Sequence, residues 1–226
     1  MTVITRLVLA GALLGSMADT ASADTITASG QGWCKSDGMC NSTTASTINN
    51  TFAGSLSGFE YRDWFAFRLP LGDITAGTLN IWNDEANFTD VAAATFEVRD
   101  ASEISFGGLL GATMLGSISV QLADAGVSSH FVSIPLNPDA IRLLNAADGS
   151  LFVLGGVVTP FVPTSPVQIF GYTSGPPAAF LELSGDLSSP VPEPASYLLV
   201  AMGLAVLVLT RRKGAHAGTP LIEAMS

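Results

Sequence analysis

The side chains with the most obvious catalytic potential in this chain are six carboxylates between residues 63 and 100. Two carboxylates on either side of a glycosidic bond perform the acid and base steps of glycoside hydrolysis, and related pairs serve polysaccharide lyases. The spacing favours no particular pair, and solvation at the surface is the ordinary interpretation of such residues. The candidates are Asp63, Asp84, Glu85, Asp90, Glu97 and Asp100.

Other catalytic groups are scarce. His130 is the only histidine between residues 24 and 189, so a cluster of histidine ligands for a metal is excluded there. A Ser-His-Asp triad would have to use His130, which lies at the start of a predicted strand. The sequence also lacks a glycine-rich phosphate-binding loop with its lysine. We therefore predict that the protein is not an enzyme.

The polar segment 83–90 offers oxygen ligands of the kind that Ca²⁺ prefers. Asp84, Glu85 and Asp90 are the candidate ligands, although their spacing lacks the periodicity of an EF-hand loop. A solvated loop without metal is the alternative. We expect no cofactor other than this possible calcium.

An aromatic residue beside the polar segment is a candidate for sugar binding. In residues 77–82, Leu79 and Ile81 alternate with Thr78, Asn80 and Trp82, so Trp82 and Asn80 share one face of a predicted strand. Sugar rings pack their C–H faces on aromatic rings, so Trp82 is the main candidate for sugar binding, and Asn80 is the second because it shares the face. Packing of Trp82 in the core or at a sheet edge is the competing interpretation.

Cys34 and Cys40 are the two cysteines of the chain. An even cysteine number in an exported protein predicts a disulfide, which would close a small loop containing Gly38. A metal site is the alternative, but two thiols without a nearby histidine make a poor ligand set.

The elements that must hold these residues are mostly strands. Short apolar or alternating segments separated by turn residues predict strands at 25–29, 61–69, 77–82, 94–99, 118–122, 131–136, 151–158, 167–172 and 179–184. Residues 41–58 are predicted to be a loop or irregular edge, and 70–73 a turn. Asn137 as N-cap and Pro138 at the first helical position predict one short helix over 138–146. The pattern favours an all-β fold, a single β-sandwich of jelly-roll type over 24–189 with this one helix.

The two ends of the chain predict export. Residues 1–23 have the features of a signal peptide, with Arg6, an apolar helical stretch and the small residues Ala21 and Ala23 before a cleavage point at Asp24. At the other end, Pro192, Glu193 and Pro194 precede residues 195–209, which carry no charge.

Fifteen residues at 1.5 Å each give about 22 Å of helix, so a transmembrane helix over 195–210 is close to the minimum length. The basic cluster Arg211, Arg212 and Lys213 follows, and the positive-inside rule predicts that this end stays in the cytoplasm.

This C-terminal pattern resembles the PEP-CTERM sorting signal of Gram-negative, biofilm-forming bacteria. The resemblance covers 190–213 and implies that an exosortase, a membrane enzyme, processes the chain near Pro192, Glu193 and Pro194. It also implies an association with exopolysaccharide. The polar tail 214–226 departs from the usual pattern, in which the signal ends soon after the basic cluster.

A looser resemblance concerns the domain itself. Segments 61–67, 77–83, 132–137 and 149–156 are similar to small jelly-roll ectodomains of such sorted proteins, which implies a fold and a secreted context but no catalytic residue.

The net charge of the predicted domain limits the classes of molecule that it can bind. Residues 24–189 contain sixteen acidic and five basic side chains, a net charge of −11, which disfavours nucleic acid and anionic lipid. We therefore expect an exported protein, anchored by its C-terminal helix and then sorted to the cell surface or extracellular matrix. Its expected role is structural or adhesive and non-enzymatic, in association with exopolysaccharide. A carbohydrate-binding module is the first alternative, and a polysaccharide hydrolase or lyase is the second.

Overall fold

Two antiparallel sheets facing each other make up the domain. The computed structural model describes residues 23–83, 85–88, 92–121, 130–161, 166–171 and 177–188. In chain order the elements are β1 (Asp24–Thr27), β2 (Gly30–Lys35), β3 (Ala53–Leu56), β4 (Phe59–Arg68), β5 (Leu71–Asn83), β6 (Glu85–Phe88), β7 (Ala93–Asp100), β8 (Met114–Gln121), β9 (His130–Pro135), α1 (Pro138–Ala146), β10 (Leu151–Thr159), β11 (Val167–Gly171) and β12 (Phe180–Ser188).

The smaller sheet has four strands in the order β1-β12-β5-β9. The larger sheet has eight, in the order β6-β11-β3-β4-β10-β7-β8, with β2 also paired to β4. The predicted β-sandwich with one short helix is confirmed.

The core lies between the sheets because each strand alternates its side chains between two faces. Phe65 and Phe67 of β4 point inward from the large sheet, and Leu79 and Ile81 of β5 point inward from the small one. All four are essentially inaccessible to solvent. Alternation therefore fixes which side chains of each strand remain outside.

A second, smaller cluster lies on the opposite face of the large sheet. Trp64 and Ala66 of β4 pack there against Cys34 and Leu109, and all four are fully buried. Loops 36–50 and 101–113 supply the side chains that cover this face, including Ala45 and Phe106. The large sheet is therefore buried on both sides along β4, which explains the near-continuous burial of residues 62–67.

The predicted helix is confirmed at its predicted bounds. The Asn137 side chain accepts a hydrogen bond from the backbone N–H of Ala140 at 3.0 Å, as expected of an N-cap. Ala140 and Leu144 form its buried face. Local sequence was sufficient here because capping and proline placement act within one helical turn.

Two of the predicted non-strand segments are wrong. Residues 70–73 are not a free turn, since β5 begins at Leu71, and the polar segment 41–58 contains β3. Gly72 adopts a φ of +118°, and a Cβ there would lie 2.2 Å from the backbone oxygen of Asp186 in β12. Close approach of two backbones, which local sequence does not reveal, extends β5 into the predicted turn.

Candidate functional site

The outer face of the four-stranded sheet carries both residues predicted for sugar binding. Because Leu79 and Ile81 point into the core, Thr78, Asn80 and Trp82 point away from it. On β9, paired with β5, Ile134 points inward while Phe131 and Ser133 are exposed. The register places Trp82 opposite Phe131, Asn80 opposite Ser133 and Thr78 opposite Pro135.

Three aromatic rings meet on this face. The ring centroids of Trp82 and Phe131 are 5.1 Å apart with the planes at 73°. Phe131 also contacts Phe180 of β12, with centroids 4.9 Å apart and planes at 71°. Phe131 and Phe180 lie on the two strands that flank β5, so their contact crosses that strand. We call Trp82, Phe131 and Phe180 the aromatic platform.

The sequence identified Trp82 but neither of the other two rings. Phe131 and Phe180 are separated from Trp82 by about fifty and about one hundred residues, and only the strand order brings them together. The alternation of β9 alone would have placed Phe131 on the solvent side. Its position opposite Trp82 depends on the β5–β9 register, which local sequence does not specify.

Asn80 is held in the same face but is almost completely buried, at 3% exposure. The hydroxyl of Ser133 donates to its Oδ1 at 2.6 Å. Its Nδ2 is buried and has no hydrogen-bond partner among the described residues. A buried donor without a partner costs about 1–3 kcal/mol, so this is an unusual place for an amide that has no further role.

A shallow groove of about 550 Å³ continues from this pair of strands toward the helix. Thr78 and Pro135 border it, and Thr75, Glu182 and Ser184 contribute hydroxyl and carboxylate groups. Ala23, the residue before the predicted cleavage point, lines one end of the groove. Asp24 follows it as the first residue of β1.

The described carboxylates among the six candidates do not form a pair. Asp63 lies on the inward face of β4 and is fully buried, with Oδ1 accepting a hydrogen bond from the Phe52 N–H at 2.6 Å. Glu97 forms an ion pair in which its Oε2 lies 2.6 Å from Nη2 of Arg99. Oδ1 of Asp100 accepts a hydrogen bond from the Thr113 N–H at 2.8 Å. Each of the three therefore has its own structural partner.

Burial makes the Asp63 carboxyl a weaker acid. Desolvation raises the pKa of its carboxyl well above the usual 3.8, and the single hydrogen bond from Phe52 offsets this only in part. Its Oδ2 has no hydrogen-bond partner among the residues that the structure describes. Asp63 is thus a buried core residue with an incompletely paired carboxyl group, and not a member of an exposed acid–base pair.

His130 is exposed at the start of β9, in register with Asn83. It lines a cavity of about 180 Å³ together with Ser119 and apolar side chains of β8. The described lining of this cavity contains no aspartate or glutamate, so it does not supply the third member of a triad.

The calcium candidates lie almost entirely outside the described part of the chain. Asp84 and Asp90 are outside it, and Glu85 is described only as the first residue of β6. Within the described ranges, no group of three or more His, Cys, Asp or Glu side chains is arranged to hold a metal. Calcium binding stays a prediction.

The predicted disulfide between Cys34 and Cys40 is present. Cys34 is fully buried against Trp64, at the second cluster. Next to the bridge, Oδ1 of Asn41 accepts a hydrogen bond from the Trp33 N–H at 2.8 Å, and its Nδ2 donates to the backbone oxygen of Asn50 at 3.1 Å. The bridge therefore fixes the start of the loop that covers the outer face of the large sheet.

The predicted processing residues lie mostly beyond the described ranges. Ala21 is outside them, as are Pro192, Glu193, Pro194, Arg211, Arg212, Lys213 and the predicted span 195–210. Across the described segments, no helix is both long enough and apolar enough to cross a bilayer.

These observations define a β-sandwich domain with a disulfide, and the compact unit that contains it ends at Leu187. A family model described as the PEP-CTERM protein-sorting motif matches residues 190–213, the bounds predicted from the sequence. The chain therefore carries a PEP-CTERM sorting motif, which implies export, membrane anchoring and processing by an exosortase to a surface location. No curated protein matches the chain at a significant level.

Proposed function

We propose that this protein is a non-enzymatic structural or adhesive component of the cell surface or extracellular matrix, associated with exopolysaccharide. The sorting motif at 190–213 supports the proposal, because it implies export of the preceding domain to the cell surface, where an exopolysaccharide would be encountered. A β-sandwich with a disulfide is compatible with a location at the cell surface, since disulfides persist outside the cytoplasm.

The charge of the domain supports a role among neutral or cation-bridged polymers. A net charge of −11 over 24–189 keeps the domain soluble and repels nucleic acid. The described candidate carboxylates are engaged separately, in the core, with Arg99 or with a backbone N–H. Among the described side chains, no two of the candidate carboxylates form the pair that a hydrolase or lyase would use.

Processing at both ends belongs to the proposal. Cleavage after Ala23 would release Asp24 as the new N-terminus, directly at the start of β1. Intact-mass measurement of the native mature protein tests this, together with cleavage near Pro192 and oxidation of the two cysteines. A mass that retains residues 1–23 would contradict export by this signal.

Sorting and function are tested in the source organism by replacing Pro192, Glu193 and Pro194 with alanine. We expect the variant to accumulate in the membrane fraction and to leave the surface, with loss of matrix retention or adhesion equal to that of a deletion strain. An unaltered surface level would overturn sorting by this motif. Normal adhesion and matrix in the deletion strain would overturn the role.

The non-enzymatic part has its own test. The purified protein is incubated with the organism's matrix polysaccharide, and reducing ends and unsaturated sugar products are measured. We expect no turnover above a boiled control. Turnover that disappears when one carboxylate is neutralised would establish the enzymatic alternative instead.

A further inference from the structure

We propose that the outer face of the four-stranded sheet binds a neutral polysaccharide chain, with the aromatic platform as its stacking surface. The inference rests on the proposed surface role and adds the ligand class and the binding residues. It extends the prediction for Trp82 and Asn80 to a site built from three strands.

The first argument is that the aromatic platform lies on the outer face of the sheet, where it is not needed to fill the core. The core is already filled by the inward residues of the same strands, including Leu79, Ile81 and Ile134. Phe131 is 36% exposed even though its ring contacts both Trp82 and Phe180. Aromatic surface left in water on a sheet face is suited to the apolar C–H faces of sugar rings.

The second argument is the polar pair beside the platform. Ser133 is exposed, and Asn80 opposite it on β5 has a buried Nδ2 without a partner among the described residues. A sugar hydroxyl is both a donor and an acceptor. A sugar hydroxyl that accepted a hydrogen bond from Nδ2 would relieve the buried donor.

The third argument is that the face continues into a groove with the right chemistry. The next register position after Asn80 and Ser133 is Thr78 opposite Pro135, and both residues border the groove of about 550 Å³. Thr75 and Ser184 add hydroxyls to it. A polymer lying along β5 would therefore meet the aromatic rings, then Ser133 above the buried Asn80, and then the hydroxyl groups of the groove.

The fourth argument selects a neutral ligand. Along outward positions 78–82 of β5, 131–135 of β9 and 180–184 of β12, the one charged side chain is Glu182. The domain as a whole carries −11. An anionic polysaccharide would be repelled by this field, whereas a neutral one pays no such electrostatic cost.

The test uses the exported protein with its C-terminus intact, purified in mild detergent. Binding to dextran, a soluble β-glucan and a galactomannan is measured by affinity gel electrophoresis, with alginate as the anionic comparison. We expect retardation by at least one neutral polymer and none by alginate. Trp82→Ala and Phe131→Ala should each weaken binding about tenfold, the order expected for truncating a central contact.

The matched control is Phe59→Ala, because Phe59 is 37% exposed but lies on β4 of the other sheet. We expect its binding to stay within twofold of the wild type. If Trp82→Ala fails to fold, Trp82→Phe retains an aromatic ring while shrinking the platform, and should weaken binding less than Phe131→Ala. Far-UV circular dichroism and the melting temperature verify folding for every variant.

Three results would overturn the site: no binding to any neutral polymer, equal loss with Phe59→Ala, or platform variants that bind as the wild type does. Concentration-dependent dimerisation abolished by Phe131→Ala, with no polymer binding, would show that a second copy of the chain covers the face. All of these outcomes leave the surface localisation assays unchanged, so failure of this site is distinguishable from failure of the proposed role.

Discussion

The carboxamide of Asn145 binds both backbone groups of Ile74. Its Oδ1 accepts from the Ile74 N–H at 2.7 Å, and its Nδ2 donates to the Ile74 carbonyl at 2.9 Å. Asn145 lies in the last turn of α1 and Ile74 near the start of β5, so one side chain joins the helix to the small sheet. The Asn145 side chain thus makes the two hydrogen bonds to Ile74 that the backbone of a neighbouring strand would otherwise make.

We predict that Asn145→Ala lowers the free energy of unfolding by about 1–3 kcal/mol, because two partly buried backbone groups lose their partners. Urea denaturation followed by circular dichroism measures this. Arg142→Ala is the control, since Arg142 is exposed and makes a single 3.5 Å ion pair with Asp139. Equal destabilisation by both variants would contradict the role of Asn145.

A second prediction concerns the pH dependence of stability. Because burial raises the pKa of Asp63 above 3.8, the folded protein retains its proton to a higher pH than the unfolded chain does. Stability should therefore be greatest below pH 3.8 with respect to this group, and should fall as the pH rises through the raised pKa. Asp63→Asn should remove this fall and be more stable than the wild type at neutral pH.

Asp37 provides the opposite case for comparison. A hydrogen bond from Lys35 at 2.7 Å, with the Met39 N–H, lowers the pKa of its carboxyl below 3.8. Its contribution is present above pH 3.8 and is lost as the pH falls through the lowered pKa. Asp37→Asn should therefore be slightly less stable than the wild type at neutral pH. A pH profile of urea midpoints that is identical for all three proteins would refute both assignments.

The disulfide gives a third prediction. Removing it in the double variant Cys34→Ala, Cys40→Ala should lower the free energy of unfolding by about 2–3 kcal/mol, the value expected from the entropy of a loop this short. Thermal denaturation of the variant, compared with the wild type with and without reductant, checks this. Reduced wild type and the double variant should agree, and a reduced protein as stable as the oxidised one would contradict the prediction.

A fourth prediction concerns the side of the membrane on which the C-terminus lies. Replacing Arg211, Arg212 and Lys213 with Ser or Gln removes the cations that hold this end in the cytoplasm. We expect translocation of the C-terminus or release of the protein to the medium. A reporter fused to the C-terminus measures the side on which it lies. Replacing His216 alone is the control, and unchanged topology in the triple variant would count against the prediction.

Features that depend on neighbours in sequence were predictable. The bounds of α1 follow from Asn137 and Pro138, the disulfide from two cysteines in a chain marked for export, and the sorting motif from its tripeptide, apolar stretch and basic cluster. Alternation around Leu79 and Ile81 correctly separated the two faces of β5. These signals act over a few residues, so no tertiary information is required to recognise them.

Strand pairing determined the composition of the candidate site and the burial of Asp63. The sequence identified Trp82 and Asn80 as sharing a face, but the approach of Phe131 and Phe180 depends on the order β12-β5-β9 and on a register set by long-range packing. The same holds for Asp63, whose carboxylate looked like a surface group until pairing of β4 with β2 and β10 placed it in the core. Since a shift of one residue reverses every side chain of a strand, the composition of each face is determined only when the whole core is packed.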